Sequence, residues 1–82
     1  GLDGKWFTYY ESGQVGKEYN CKNDKQDGRF VEYYKNGLVK KKEYYKDGKQ
    51  EGKLVWYDLD GNITDEDIWN DGECIEMCEG NE

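Results

Sequence analysis

The sequence predicts an all-β protein, an elongated single-layer antiparallel meander of stacked β-hairpins in three 24-residue repeats. Three observations predict it. Gly4, Gly28 and Gly52 fall at equal intervals, as do Gly13, Gly37 and Gly61. Laid one above another, Asp3-Gly4-Lys5-Trp6-Phe7-Thr8-Tyr9-Tyr10, Asp27-Gly28-Arg29-Phe30-Val31-Glu32-Tyr33-Tyr34 and Glu51-Gly52-Lys53-Leu54-Val55-Trp56-Tyr57-Asp58 agree in character at almost every column. Between the glycines apolar residues alternate with polar ones, the two-residue period of a strand.

The elements follow in order. In each repeat a first half-apolar run ends at Ser12-Gly13, Asn36-Gly37 or Asp60-Gly61. Asn-Gly and Asp-Gly are strong signals for a two-residue type I′ turn, whose central residues both need positive φ. A second run follows and ends near Asn23-Asp24, Asp47-Gly48 or Asp71-Gly72. The repeats are therefore about residues 3–26, 27–50 and 51–74 of a single domain covering 1–82. That makes about six strands. Glu73 to Cys78 is a candidate seventh, and residues 75–82 form a degenerate cap or tail. Because the repeat begins almost at Gly1, the chain is expected to be a processed form or a fragment of a longer array.

With two-residue turns, Tyr34 should face Val39, Glu32 should face Lys41 and Asp58 should face Ile63. One face then collects Trp6, Tyr10, Val15, Tyr19, Cys21, Phe30, Tyr34, Val39, Tyr45, Leu54, Trp56, Ile63 and Trp69, and is the expected core. The other carries Phe7, Tyr9, Val31, Tyr33, Val55 and Tyr57 as a narrow apolar stripe, expected to bind a partner. A repeat too short to bury its own apolar face must stack on its neighbours, so a shared surface rather than an internal pocket is the expected place of function.

Leu, Ile, Val and Phe supply only 13 of 82 residues and the net charge is -7, a composition close to that of disordered chains. Thirteen aromatic residues at fixed columns reverse that reading. Charge is lopsided: residues 35–53 hold seven basic and three acidic groups, and residues 54–82 hold ten acidic and none basic. Most of this surface repels nucleic acid and anionic lipid, and nucleic acid is not an expected partner. Lys40, Lys41, Lys42, Lys46 and Lys49 form the one candidate basic patch. No apolar run approaches the ~18 residues of a membrane helix and no signal-peptide pattern opens the chain, which leaves localisation open.

Catalytic chemistry finds no foothold. Histidine is absent, and the lone Ser12 lies in a turn with no base in view. No phosphate-binding or dinucleotide fingerprint exists. No enzyme activity, cofactor or metal is expected. Asp58-x-Asp60-Gly61-Asn62 invites a calcium reading, but an EF-hand loop starting there requires Gly at position 63 and Glu at position 69, where the chain has Ile63 and Trp69. Cys74 and Cys78 are four apart, roughly 13 Å in an extended strand and beyond the ~7 Å disulfide limit. Three free thiols are expected, with a bent or helical tail as the only route to a Cys74–Cys78 bridge.

The motif of Gly, one basic residue, an apolar pair, one variable residue and Tyr-Tyr, closed by Asn-Gly or Asp-Gly, resembles the bacterial variant of the MORN repeat, found in antitoxin-like proteins. The resemblance spans about residues 3 to 75. It implies a sheet of stacked hairpins used for assembly and recognition rather than catalysis. Asp24 in place of a turn glycine, Gly16 within a strand and Asp58 in place of the second Tyr depart from the pattern, and the third repeat diverges most. The expected function is a non-catalytic module for protein–protein interaction or scaffolding, with antitoxin-like recognition implied by the resemblance. Partners are expected on the stripe or, as protein or self-association, on the edge strands. The alternative is a membrane-associated or phosphoinositide-binding module using the lysines, disfavoured by the net charge.

Overall fold

The computed structural model describes residues 3–78. They form one antiparallel sheet of eight strands: β1 (Gly4–Tyr9), β2 (Val15–Lys22), β3 (Lys25–Tyr33), β4 (Val39–Lys46), β5 (Lys49–Gln50), β6 (Gly52–Tyr57), β7 (Ile63–Asn70) and β8 (Glu73–Glu76). The order is β1-β2-β3-β4-β6-β7-β8, with the short β5 pairing β4 ahead of β6. The candidate seventh run is a strand, β8, which ends at Glu76. Residues 79–82 of the expected tail lie outside the described residues. The extents are 37 × 36 × 15 Å, the thickness of one layer with side chains on both sides.

Two kinds of turn alternate along the meander, and they exchange the roles expected from the sequence. The two-residue type I′ turns join one repeat to the next, at Asn23-Asp24, Asp47-Gly48 and Asp71-Gly72, where every central residue has positive φ (50–86°). Within each repeat the connection is longer. Tyr34 N–H donates to the Leu38 carbonyl at 2.8 Å and Gly37 N–H donates to the Tyr34 carbonyl at 3.0 Å, leaving only Gly37 at positive φ. This is a type I turn closed by a left-handed glycine, and residues 10–14 and 58–62 repeat it.

The longer turn shifts the register. Glu32 faces Lys41 as expected, but Tyr33 rather than Tyr34 faces Val39, and Tyr57 rather than Asp58 faces Ile63. One residue is bulged out in each hairpin, namely Gly16, Lys40 and Thr64, again 24 apart. The bulge moves a strand's start across the sheet. Val15, Val39 and Ile63 therefore join Tyr9, Tyr33 and Tyr57 instead of the expected core face. Gly16 is a member of this bulge series rather than an interruption.

The core is also divided differently. The most buried apolar side chain, Val31 at 3% exposure, and its equivalent Val55 lie on the stripe face. The other face buries Leu54 together with two carboxylates, Glu43 and Asp67. With no second layer, each face is sealed only along its central strands, where neighbours flank a side chain on both sides.

Hydrogen bonds with the period of the repeat stitch the hairpins together. Asp3, Asp27 and Glu51 accept from the N–H of Asn23, Asp47 and Asp71, at 2.7, 3.1 and 2.9 Å, so the acidic column before each glycine clamps the adjacent tight turn. The hydroxyl of Tyr10 donates to the Tyr33 carbonyl, and that of Tyr34 to the Tyr57 carbonyl at 2.8 Å. In the third repeat Asp58 folds back instead, accepting from the N–H of Asp60 and Asn62, each at 2.9 Å. The Asn62 amide bond, followed by the others, lowers the Asp58 pKa below its usual value.

One expectation fails at the end of the sheet. Cys74 and Cys78 form a disulfide with Cα atoms 6.1 Å apart. The chain leaves the strand at Met77, which has φ of 60°, and this bend brings together residues that an extended strand would hold apart. Cys21 remains a free thiol as expected.

Candidate protein-binding face

Directly paired residues of antiparallel strands project from the same face, so the registers build the surfaces. On the stripe face Phe7, Glu18, Val31, Lys42, Val55 and Glu66 form one row across the sheet. A parallel row pairs Tyr9 with Val15, Tyr33 with Val39 and Tyr57 with Ile63. All six expected stripe residues are thus gathered on one face. The return strands add three β-branched residues, which the expected register had placed elsewhere, and three charges.

Burial grades the stripe from its centre to its ends. Val31 and Val55 are sealed, Tyr33 and Tyr57 are half-buried, and Phe7, Tyr9 and Ile63 are 43%, 62% and 56% exposed. The Phe7 and Tyr9 rings lie side by side, with centroids 6.4 Å apart. Polar contacts hold the middle in place: Tyr33 donates its hydroxyl to Glu18 at 3.0 Å, Lys5 pairs with Glu18 at 3.4 Å, and the Lys42 ammonium sits 5.9 Å from the centre of the Tyr57 ring. Burial, and then the Glu18 hydrogen bond, raise the Tyr33 pKa. What remains is a fixed row of rings and branched side chains bordered by both signs of charge. Such a surface suits contact with a protein.

The opposite face is occupied with itself. Tyr19 stacks on Phe30, and Phe30 meets the edge of Tyr45. Lys41 lies between the Phe30 and Trp56 rings, at 5.6 and 5.0 Å, and its ammonium pairs with Glu43 at 3.3 Å and Glu32 at 3.7 Å. Tyr45 donates to Glu43 at 3.3 Å, and burial, then the Glu43 charge, push its pKa up to about 12. This Lys41 cage was missed by sequence reasoning, although Lys41 shares its 24-residue column with Lys17 and Asp65 and falls between strands carrying Phe30 and Trp56.

The five lysines of the expected basic patch are dispersed. Lys40 sits at the bulge against Glu32 and the Tyr34 ring. Lys41 is in the cage, Lys42 is on the stripe face, and Lys46 and Lys49 flank the Asp47-Gly48 turn, where Lys49 reaches Asp71 at 3.5 Å. Strand alternation, which sends successive side chains to opposite faces, is the cause. Among the described residues no group of three or more potential ligands is arranged to hold a metal ion, and no helix is long and apolar enough to cross a membrane.

The geometry of stacked hairpins with a 24-residue period agrees with comparison to known families. The model of the MORN repeat variant matches residues 2–23 and 26–47, more than half of the chain. The chain belongs to the MORN repeat variant family. No curated protein and no solved structure matches. The two matched spans are the first two MORN repeats. Residues 51–74 lie outside them, yet their strands keep the same register and bulge, so the third hairpin is a structural continuation of the MORN array.

Proposed function

We propose that this MORN module is non-catalytic and works by binding another protein across the face that carries Phe7, Tyr9, Val31, Tyr33, Val55 and Tyr57, with its terminal strands as further docking edges. One observation carries the reading: rings and β-branched side chains from all three hairpins, with Glu18, Lys42 and Glu66 among them, cross one face of a single-layer sheet and are well exposed at its ends. The other face spends its aromatic and charged groups on one another. An antitoxin-like role is a special case of the same module, in which the captured protein is a toxin. The lipid-binding alternative draws no support from lysines that are dispersed over both faces and a turn, four of the five engaged by a carboxylate or a ring.

Affinity capture from source-cell lysate tests the reading. The wild type is compared with a Tyr9, Tyr33 and Tyr57→Ser variant whose fold is checked by far-UV circular dichroism. A protein retained by the first and lost from the folded second supports the face. Equal recovery by both rejects it. Anionic vesicles serve as the control, and salt-sensitive recruitment would favour lipid instead.

A further inference from the structure

The outer edge of β7 is only partly used. β8 pairs with Ile68, Trp69 and Asn70. Among the described residues no strand pairs with the outer side of residues 63–67, and Ile63, Thr64, Asp65, Glu66 and Met77 line a depression of about 340 Å³ there. The earlier return strands are completed at this place, where Tyr19 faces Phe30, Glu18 faces Val31 and Lys17 faces Glu32, while Lys42 faces Val55 and Lys41 faces Trp56. The cause of the gap is local. Continuing β8 along β7 would require an extended chain through Met77 and Cys78, and the disulfide holds Cys78 back beside Cys74.

β1 is the strand that fits. It occupies the same column of the repeat as β3 and β6, every residue of it is exposed, and its outer edge has no partner among the described residues. We infer that β1 of a second copy of this chain docks beside residues 63–67 of β7 and continues the meander from molecule to molecule. The inference rests on the reading of the chain as an interaction module and specifies one partner and one edge.

The 24-residue frame sets the register. Phe7 of the second copy faces Glu66, as Val31 faces Glu18 and Val55 faces Lys42. Thr8 faces Asp65 and Trp6 faces Asp67. Three features favour the match. Residues 54–82 carry ten acidic groups and none basic, so Lys5, which leaves the ladder before Ile68 because Glu76 already pairs there, approaches Glu66 among charges of the opposite sign. Asp67 is 6% exposed and its Oδ1 has no hydrogen-bond partner, and the frame brings the indole N–H donor of Trp6 across from it. Docking also covers Phe7 and Ile63, two of the more exposed apolar side chains on the sheet. The contact is head-to-tail, so it does not close on itself and grows into open chains; its short length makes it weak.

Sedimentation velocity on the intact chain over a wide concentration range provides the test. The mean mass is expected to rise above the 9.7 kDa of one chain as concentration increases, and to fall when salt is added. Glu66→Lys damages the receiving edge and Lys5→Glu the entering strand, and each is expected to weaken association at least about tenfold. Mixing the two variants restores it, because every resulting contact joins opposite charges; a misfolded variant would not be rescued. A wild type that stays monomeric throughout overturns the inference, as does association that neither substitution weakens. Mutant association that mixing does not restore also counts against it. Lysate capture by the tyrosine face is read on different variants, so failure there leaves this test standing, and failure here leaves the face.

Discussion

Both faces of this sheet carry aromatic residues, with all three tryptophans on one of them, and that face is closed while the other is open. On the closed face Tyr19, Phe30, Tyr45 and Trp56 touch one another or the Lys41 ammonium, and two carboxylates converge on that one lysine. On the open face Phe7, Tyr9, Tyr33 and Tyr57 are separated across the sheet by valine, isoleucine or a charge from the return strands, with Tyr44 exposed beside them. A single layer has no other layer to cover either face. What distinguishes them is that rings on adjacent strands of the closed face cover one another and the Lys41 ammonium, whereas on the open face Glu18 and Lys42 each reach a single ring.

The largest test of that contrast is in the centre of the sheet. Leu54→Ala on the closed face is expected to cost about 3 kcal/mol and Val31→Ala on the open face about 2 kcal/mol, since both sites are sealed and cavities there cannot refill easily. Chemical denaturation measures both. Equal loss at the ends of the rows, for example in Tyr9→Ala, would contradict the graded burial.

Lys41→Met keeps the apolar stem between the two rings but leaves Glu43 with no cation. A loss of about 2 kcal/mol is expected, partly recovered by adding Glu43→Gln, and the double-mutant comparison isolates the pair. Removal of a comparable charge on the open face, Lys42→Met, should cost under about 0.5 kcal/mol, because Lys42 is engaged with one ring and no carboxylate.

Alkali should also attack the closed face. The Tyr45 pKa is raised from 10.0 to about 12 in the folded state, so its neutral form is the one the fold favours. That contribution is fully present below pH 10 and is lost as pH rises towards 12. Denaturation midpoints are expected to fall over this window, and less steeply in Tyr45→Phe. Tyr33 on the open face shifts in the same direction, raised first by burial and then by Glu18. Smallest of all, Tyr9→Ser should change stability by less than about 0.5 kcal/mol, its ring being mostly in water. Under the proposed function its effect falls on partner binding, which the capture assay reads.

The MORN repeat was legible because it is written in one-dimensional spacing. Glycine columns, Tyr-Tyr pairs and alternation are local demands of turns and strands, and they gave the order and pairing direction of the strands, while the short β5 went unforeseen. The six stripe residues shared one face for the same reason, since each repeat places them at matching strand positions. The acidic column of Asp3, Asp27 and Glu51 was equally visible, although its clamp on the following tight turn was not inferred. Asn36-Gly37 and Asp60-Gly61 misled because the same dipeptides end a type I turn with a left-handed glycine, and the resulting extra residue at Gly16, Lys40 and Thr64 displaced Val15, Val39 and Ile63, which lie between turn and bulge.

By itself, then, the amino-acid order determined a three-fold array of hairpins, since backbone preference and side-chain alternation act over a few neighbouring residues. Tertiary structure alone decided how side chains pack once the strands are paired. The placing of Val15, Val39 and Ile63 depends on a one-residue offset, the Cys74–Cys78 bridge on a single bend and the Lys41 cage on side chains of three strands converging over one face, and none of these alters the pattern along the chain.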